Sequence, residues 1–388
     1  MHEIVLRAGR ERPVRAGHPW IFSGAIETGL DDATPGDLVR VRASDGAFLA
    51  IGYANPATTI AVRVLSCVDE DVDDAFVARR IAAALELRRV ILGDATACRV
   101  VNGEGDRLPG VVVDRYGDVL VCQFLTAGGA RLAPAVVRAL DAALAPRTIF
   151  ERSDGAVRRE EGLAGQTGVL AGAPPPERVE IEEAGARFLV DVVHGQKTGF
   201  FLDQRESRAR VRALAGARRV LNAFAYTGAI SISAALGGAT DVVSIDSSRP
   251  ALEIAEAAWL RNGLAPERAQ WLCGNVFEYL RAEPDRFGLV VVDPPPFVRR
   301  RDDLAAGLRG YKDVNLQALR HVEEGGFLLT CSCSQHVPRD AFRDAVGAAA
   351  ADARRPARIV AEWGHPPDHP VLLAHPEGRY FKAMLLQA

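Results

Sequence analysis

The stretch RRVLNAFAYTGAISISAALGGATDVVSIDSSRPALEIAEAAWLRNG, residues 218–263, alternates apolar β-branched runs with helical periodicity. RRVLNAFAYTG reads as a strand and turn, followed by an Ala-rich helix ending at Gly237–Gly238. DVVSIDSS reads as a second strand, and PALEIAEAAWLRNG as a helix stopped by a C-terminal glycine. The same rhythm continues through AQWLCGN (269–275), GLVVVDPPPF (288–297), GGFLLTCSCS (325–334), RIVAEWG (358–364) and RYFKAMLL (379–386). Strands separated by helices imply an α/β, doubly wound, mostly parallel sheet with its ligand beyond the strands' carboxyl ends.

Upstream the pattern differs. Short β-like runs (DLVRVR, AFLAIGYA, TIAVRVL) divided by Pro, Gly and Asn fill the first seventy residues and suit a small barrel-like unit. DVDDAFVARRIAAALELRRVIL (71–92) has helical spacing with Asp near its start, strands follow over 100–125, and a helix is expected around 131–144. Pro174–Pro176 reads as a linker, so the chain divides into 1–69, 70–178 and 179–388. A length of 388 residues accords with two or three domains.

Composition narrows the function classes. Lys and Arg number 47 against 50 Asp and Glu, a formal net charge of −3, which excludes a uniformly basic nucleic-acid coat. Local excesses remain. Six arginines over 205–219 face only Glu206, and Arg299, Arg300, Arg301, Arg309 and Lys312 face only Asp302 and Asp303. A solvated helix face and loop is the commoner fate of such runs, but the second follows directly on a motif at a strand end, where a phosphate backbone would pass if the substrate were a polynucleotide. No apolar run approaches the ~18–20 residues that span a membrane. The opening MHEIVLRAGRERPVRAG has no apolar signal-peptide core, so a cytoplasmic protein with reduced thiols is expected. Six cysteines without a CxxC pair make neither a disulfide framework nor a zinc site, and no metal is expected.

Four strand ends carry candidate chemistry. The turn Asn222–Gly228 lacks GxGxxG, so a diphosphate dinucleotide is not its natural ligand, and an ordinary βα turn accounts for it equally well. Asp246 can accept hydrogen bonds from two ribose hydroxyls, while Ser248 before Pro250 suits a helix N-cap; both readings hold together. Asn275 could read an adenine edge or be a turn residue, and alone the turn is favoured. Asp293-Pro-Pro-Pro-Phe297 ends a buried strand abruptly and presents an acid and an aromatic suited to a planar base. Its structural alternative is a rigid loop with a core Phe. Cys331 and Cys333 end the next strand: Cys331 reads as a buried hydrophobe, Cys333 as a thiol at a strand tip able to act as a nucleophile. Cys67, Cys98, Cys122 and Cys273 lie in apolar strand patterns and read as core filler.

GQKTGFFLDQR (195–205), VLNAFAYTGA (220–229), VVSIDSSRPAL (242–252), VVVDPPPF (290–297), RGYKDVN (309–315) and LLTCSCS (328–334) together resemble the RlmI-like family. These are bacterial S-adenosylmethionine-dependent methyltransferases that make 5-methylcytosine in large-subunit ribosomal RNA. GHPWIFSGAI (17–26) is similar to that family's RNA-binding PUA barrel, GEGDRLPGVVVDRYGD (103–118) and ERSDGAVRREEG (151–162) to its middle domain, and PEGRYFK (376–382) to its last strands. The resemblance implies a Rossmann-like class I methyltransferase domain behind a PUA β-barrel and a small α+β middle domain, and suggests a homodimer. It places the methyl donor over Asn222, Phe224, Tyr226 and Gly228, with its ribose on Asp246, and adds Ser247, Asn275, Val276, Gln204 and Lys197 as donor contacts. Asn275 stands where the family usually has Asp, and Pro296 where it often has Lys.

The same resemblance implies Cys333 as nucleophile with Asp293 on the base, and Phe297, Pro294, Arg299, Arg300, Arg309 and Lys312 against the RNA. N-methylation of an exocyclic base amine, or a non-catalytic RNA-binding assembly role, are the competing expectations.

Overall fold

The computed structural model describes residues 1–282 and 285–388. The chain forms two compact units, Met1–Val179 with Asp191–Gly199 and Pro367–Gly378, and Glu180–Val190 with Phe200–Pro366 and Arg379–Ala388.

The first unit holds two sheets. A six-stranded, mainly antiparallel sheet runs in the order Trp20–Phe22, Ile60–Ser66, Phe48–Ala54, Leu38–Arg42, His2–Leu6, Ile26–Thr28. A five-stranded sheet runs Gln166–Gly172, Thr148–Ser153, Val119–Phe124, Val111–Tyr116, Ala97–Asn102. Against the second sheet pack helices Asp74–Leu92 and Ala127–Leu144, through Phe76, Val77, Ile81, Val136 and Leu140. The expected helix over 71–92 begins at the cap Asp73, whose side chain accepts from the Phe76 N–H and so satisfies one of the first-turn amides.

The second unit is built on one seven-stranded sheet: β1 Arg219–Ala223, β2 Asp241–Asp246, β3 Ala269–Cys273, β4 Phe287–Val292, β5 Val322–Ser332, β6 Arg358–Trp363 and β7 Lys382–Gln387. Its order is β3-β2-β1-β4-β5-β7-β6, parallel from β3 to β5, with β7 antiparallel to both neighbours. Connecting helices are α1 Arg205–Leu214, α2 Ala229–Leu236, α3 Arg249–Arg261, α4 Val276–Arg281, α5 Leu304–Arg320 and α6 Arg339–Asp352. Every residue of β4 is buried, as a central parallel strand covered on both faces requires, which explains the unbroken apolar run FGLVVV. The chain winds outward from β1 through β3, then returns to β4 on the other side of β1. That reversal leaves a crevice at the carboxyl ends of β1 and β4, where open α/β sheets bind ligands.

No helix among the described residues is long and apolar enough to cross a membrane, and among them no group of three or more His, Cys, Asp or Glu could hold a metal ion. Cys98, Cys122 and Cys331 are buried, but Cys67 and Cys273 are exposed, which corrects the expectation that both are core filler. Cys67 directly follows strand Ile60–Ser66, and Cys273 ends β3, an edge strand that pairs with β2 alone among the described residues.

Candidate active site at the strand ends

The turn after β1 is conformationally costly. Phe224 and Tyr226 adopt left-handed φ of 65° and 48°, and Gly228 follows at 70°. Non-glycine residues in this region cost roughly 1–3 kcal/mol each and persist only when their surroundings hold them. Three hydrogen bonds do so: Ala225 N–H to the Ile245 carbonyl (2.9 Å), Tyr226 N–H to Asp246 Oδ2 (2.8 Å) and Gly228 N–H to the Ala225 carbonyl (2.9 Å). Gly228 is required for space as well as for φ, because a Cβ there would stand 2.7 Å from the Ala255 methyl and 3.0 Å from the Trp271 ring. Asn222 is buried and its Nδ2 donates to Ser231 Oγ at 2.8 Å, so this side chain ties the turn to α2.

At the tip of β2, each oxygen of Asp246 accepts one backbone N–H, Oδ2 from Tyr226 and Oδ1 from Ser248, both at 2.8 Å. A carboxylate oxygen has a further lone pair, so the group still suits two vicinal hydroxyls. Ser248 caps α3 and Ser247 is exposed. Asn275 is exposed and caps α4, its Oδ1 accepting from Phe277 N–H and its Nδ2 donating to Glu278, while Val276 packs into the core of the unit.

Asp293 follows β4 with Pro294 buried behind it and Pro295 and Pro296 exposed. Phe297 is half-buried, its ring 4.7 Å from Tyr311 and 6.1 Å from Phe277. Gln204 is buried and donates from Nε2 to Asp293 Oδ2 at 2.5 Å. Its Oε1 lies 4.0 Å from the Cys331 sulfur. Burial, and secondarily the negative charge of Asp293, push the Cys331 thiol well above its ordinary range. Cys331 is therefore an uncharged thiol inside the sheet, whereas Cys333 lies one residue past the end of β5 and is part-exposed. The thiolate is the reactive form of cysteine, so of the two only Cys333 stands where it can act as one.

The turn carrying Cys333 is held by groups that residue patterns did not single out. Tyr311 is fully buried on α5, and its hydroxyl bonds both Ser334 Oγ (2.8 Å) and Ser332 Oγ (2.9 Å). Val298 N–H reaches Ser334 Oγ at 3.3 Å, linking the segment after Phe297 to the segment after Cys333. Lys382, the first residue of β7, is also buried and donates to the carbonyls of Ser334 (2.6 Å) and Val337 (2.8 Å). A lysine opening an apolar strand, in a chain with three lysines in all, was the available signal.

The basic runs fare differently. Arg299, Arg300 and Arg309 are exposed, but Lys312 pairs with Asp352 at 2.7 Å. The 205–219 run is not a free cationic face. Arg208 is buried and grips Glu183 through two bonds of 2.6 and 2.8 Å, Arg205 reaches the same carboxylate at 3.1 Å, and Arg210 lies over the Trp363 ring. Counting charges along one helix misses an acid delivered by the preceding two-stranded hairpin, Val179–Glu183 with Ala186–Val190. Lys197 belongs to the first unit and is exposed, with φ of 52°.

A turn without a phosphate cradle, an acid suited to a ribose and a second acid beside a buried thiol agree with a nucleoside-bearing donor in a group-transfer enzyme. Comparison with known proteins gives the same answer. Residues 162–378 match the family described as S-adenosylmethionine-dependent methyltransferase, and residues 4–67 match a PUA-like domain. Ribosomal RNA large subunit methyltransferase I of Erwinia tasmaniensis is 39% identical over 385 residues, covering 98% of this chain and 97% of that protein. The protein of the same name from Photobacterium profundum is 41% identical over 387 residues, with the same coverage. A putative methyltransferase crystallised with SAH shares the fold over 100% of both chains, with a TM-score of 0.87 at 21% identity. The chain belongs to the S-adenosylmethionine-dependent methyltransferases and, among them, to the ribosomal RNA large subunit methyltransferase I family.

Proposed function

We propose that this S-adenosylmethionine-dependent methyltransferase acts on large-subunit ribosomal RNA and methylates C5 of a cytosine through a transient bond between Cys333 and C6. The observation that carries the reading is the contrast between the two thiols, Cys331 uncharged in the sheet beside Gln204 and Asp293, Cys333 part-exposed at the strand tip. In this reading the donor lies over the Phe224–Gly228 turn with its ribose hydroxyls on Asp246, and Gly228 allows the backbone close approach. Ser247, Asn275 and Val276 line the same side at the ends of β2 and β3. The donor supplies an electrophilic methyl group.

The residues then act in sequence. The target base must leave its stack, because C5 and C6 are not reachable inside a helix. Phe297 and Pro294 receive its ring, and Asp293, held by Gln204, bonds the base near N3. The Cys333 thiolate adds to C6, forming the S–C6 bond and moving the electron pair of the C5–C6 double bond onto C5, which takes the methyl group. Loss of the C5 proton to a base then expels the thiolate and restores the double bond. Arg299, Arg300 and Arg309 meet the phosphate backbone, with residues 1–69 and 70–178 holding the RNA and 179–388 carrying out transfer.

Incubation of undermodified large-subunit RNA with enzyme and labelled donor, followed by mass mapping of the nucleosides, tests this. Label in 5-methylcytidine is expected. Label on an exocyclic nitrogen would replace the reading by N-methylation, and absence of donor binding by calorimetry would replace it by a binding role.

A further inference from the structure

A buried ammonium costs several kcal/mol unless it is paired and hydrogen-bonded. Lys382 opens strand β7 ahead of the apolar run Ala383–Leu386, opposite Ser332 on β5, and is 5% exposed. Its ammonium is aimed at the four-residue turn Ser334–Val337: it donates to the carbonyls of Ser334 and Val337, while Val337 N–H closes the turn on the Ser334 carbonyl at 3.2 Å. Cys333 is the residue immediately before the pinned carbonyl.

The charge relation follows from the same placement. Negative charge on Cys333 favours the charged form of Lys382, and a pairwise interaction acts equally on both partners, so the ammonium favours the thiolate. The other groups facing this pair include Arg339 on α6, a second cation; Tyr311 on α5, a neutral phenol whose pKa burial raises; and Cys331 on β5, with Asp293 beyond it. Lys382 is the cation bonded to the turn itself.

We propose that Lys382 is a positioning residue for Cys333: by pinning the Ser334 and Val337 carbonyls it shapes the turn that carries the thiol. The proposal rests on the reading of Cys333 as the nucleophile, and its test separates the two.

The test is the rate of Cys333 alkylation by iodoacetamide in the full-length protein, from about pH 6 to about pH 10, with the labelled peptide quantified by mass spectrometry. It is run on wild type, Lys382→Met and Lys382→Arg, with thermal unfolding and methylation rates measured in parallel. For Lys382→Met the midpoint is expected to rise by about one pH unit, roughly tenfold slower labelling at neutral pH. The methylation kcat should fall while the KM for the donor is unchanged. Lys382→Arg should return the midpoint to the wild-type value or below. An unchanged midpoint in folded Lys382→Met overturns the proposal. If Lys382→Met does not fold, a Lys382→Arg midpoint raised above wild type overturns it. Methylation that survives Cys333→Ala would instead overturn the nucleophile reading, leaving the alkylation midpoints to judge Lys382.

Discussion

Gln204 Nε2 lies 2.5 Å from Asp293 Oδ2, joining the segment before α1 to the acid at the end of β4 across 89 residues of sequence. The family resemblance assigns Gln204 to the methyl donor, and in the fold its Nε2 is hydrogen-bonded to the Asp293 carboxylate.

If Asp293 binds the base as proposed, replacing Gln204 by Ala impairs that binding. A hydrogen bond to a charged group contributes about 1.5–3 kcal/mol, which corresponds to roughly tenfold to a hundredfold in turnover. Steady-state kinetics should place that loss in kcat and in the KM for RNA, with the donor Kd, read by calorimetry, changed less than about threefold.

At Gly228 the demand is steric and conformational together. Gly228→Ala places a methyl 2.7 Å from the Ala255 Cβ at a φ of 70°, so a loss of about 1–3 kcal/mol in stability is expected by urea denaturation. On the proposed placement of the donor over this turn, donor affinity should fall alongside it, because the turn must shift to relieve the clash.

Lys382 gives a pH dependence whose sign is fixed. Burial lowers its pKa to about 8 from an ordinary 10.5. Between those values the unfolded chain holds a proton that the folded chain has released, so this residue makes stability rise with pH across the window, by up to about 1.4 kcal/mol per pH unit. The contribution is complete above 10.5 and is lost as pH falls through about 8. Subtracting the Lys382→Met stability curve from that of wild type should isolate this rise. The charge that favours the Cys333 thiolate is present below about pH 8 and fades above it.

Much of the methyltransferase unit is legible in the chain because strand and helix periodicities are local. The alternation over 218–263, the proline stop after Asp293 and the serine cap after Asp246 each depend on neighbours a few residues away. What is not legible depends on partners far along the chain. Lys382 finds its carbonyls 45 and 48 residues back, Gln204 its carboxylate 89 residues on, and the arginines of α1 their acid in a preceding hairpin. Cys273 has the apolar flanks of a buried strand, but β3 turns out to be the sheet edge, a property of topology that no window of residues contains. The two thiols of CSCS are alike in pattern, and burial is what separates them.

The central claim is that Cys333 forms the bond to C6. The most direct measurement is methylation of undermodified large-subunit RNA by Cys333→Ala and Cys331→Ala, each checked for donor binding and folding. The account predicts no detectable product from Cys333→Ala with donor binding intact, and turnover within a few-fold of wild type from Cys331→Ala. Unchanged turnover by Cys333→Ala would contradict it.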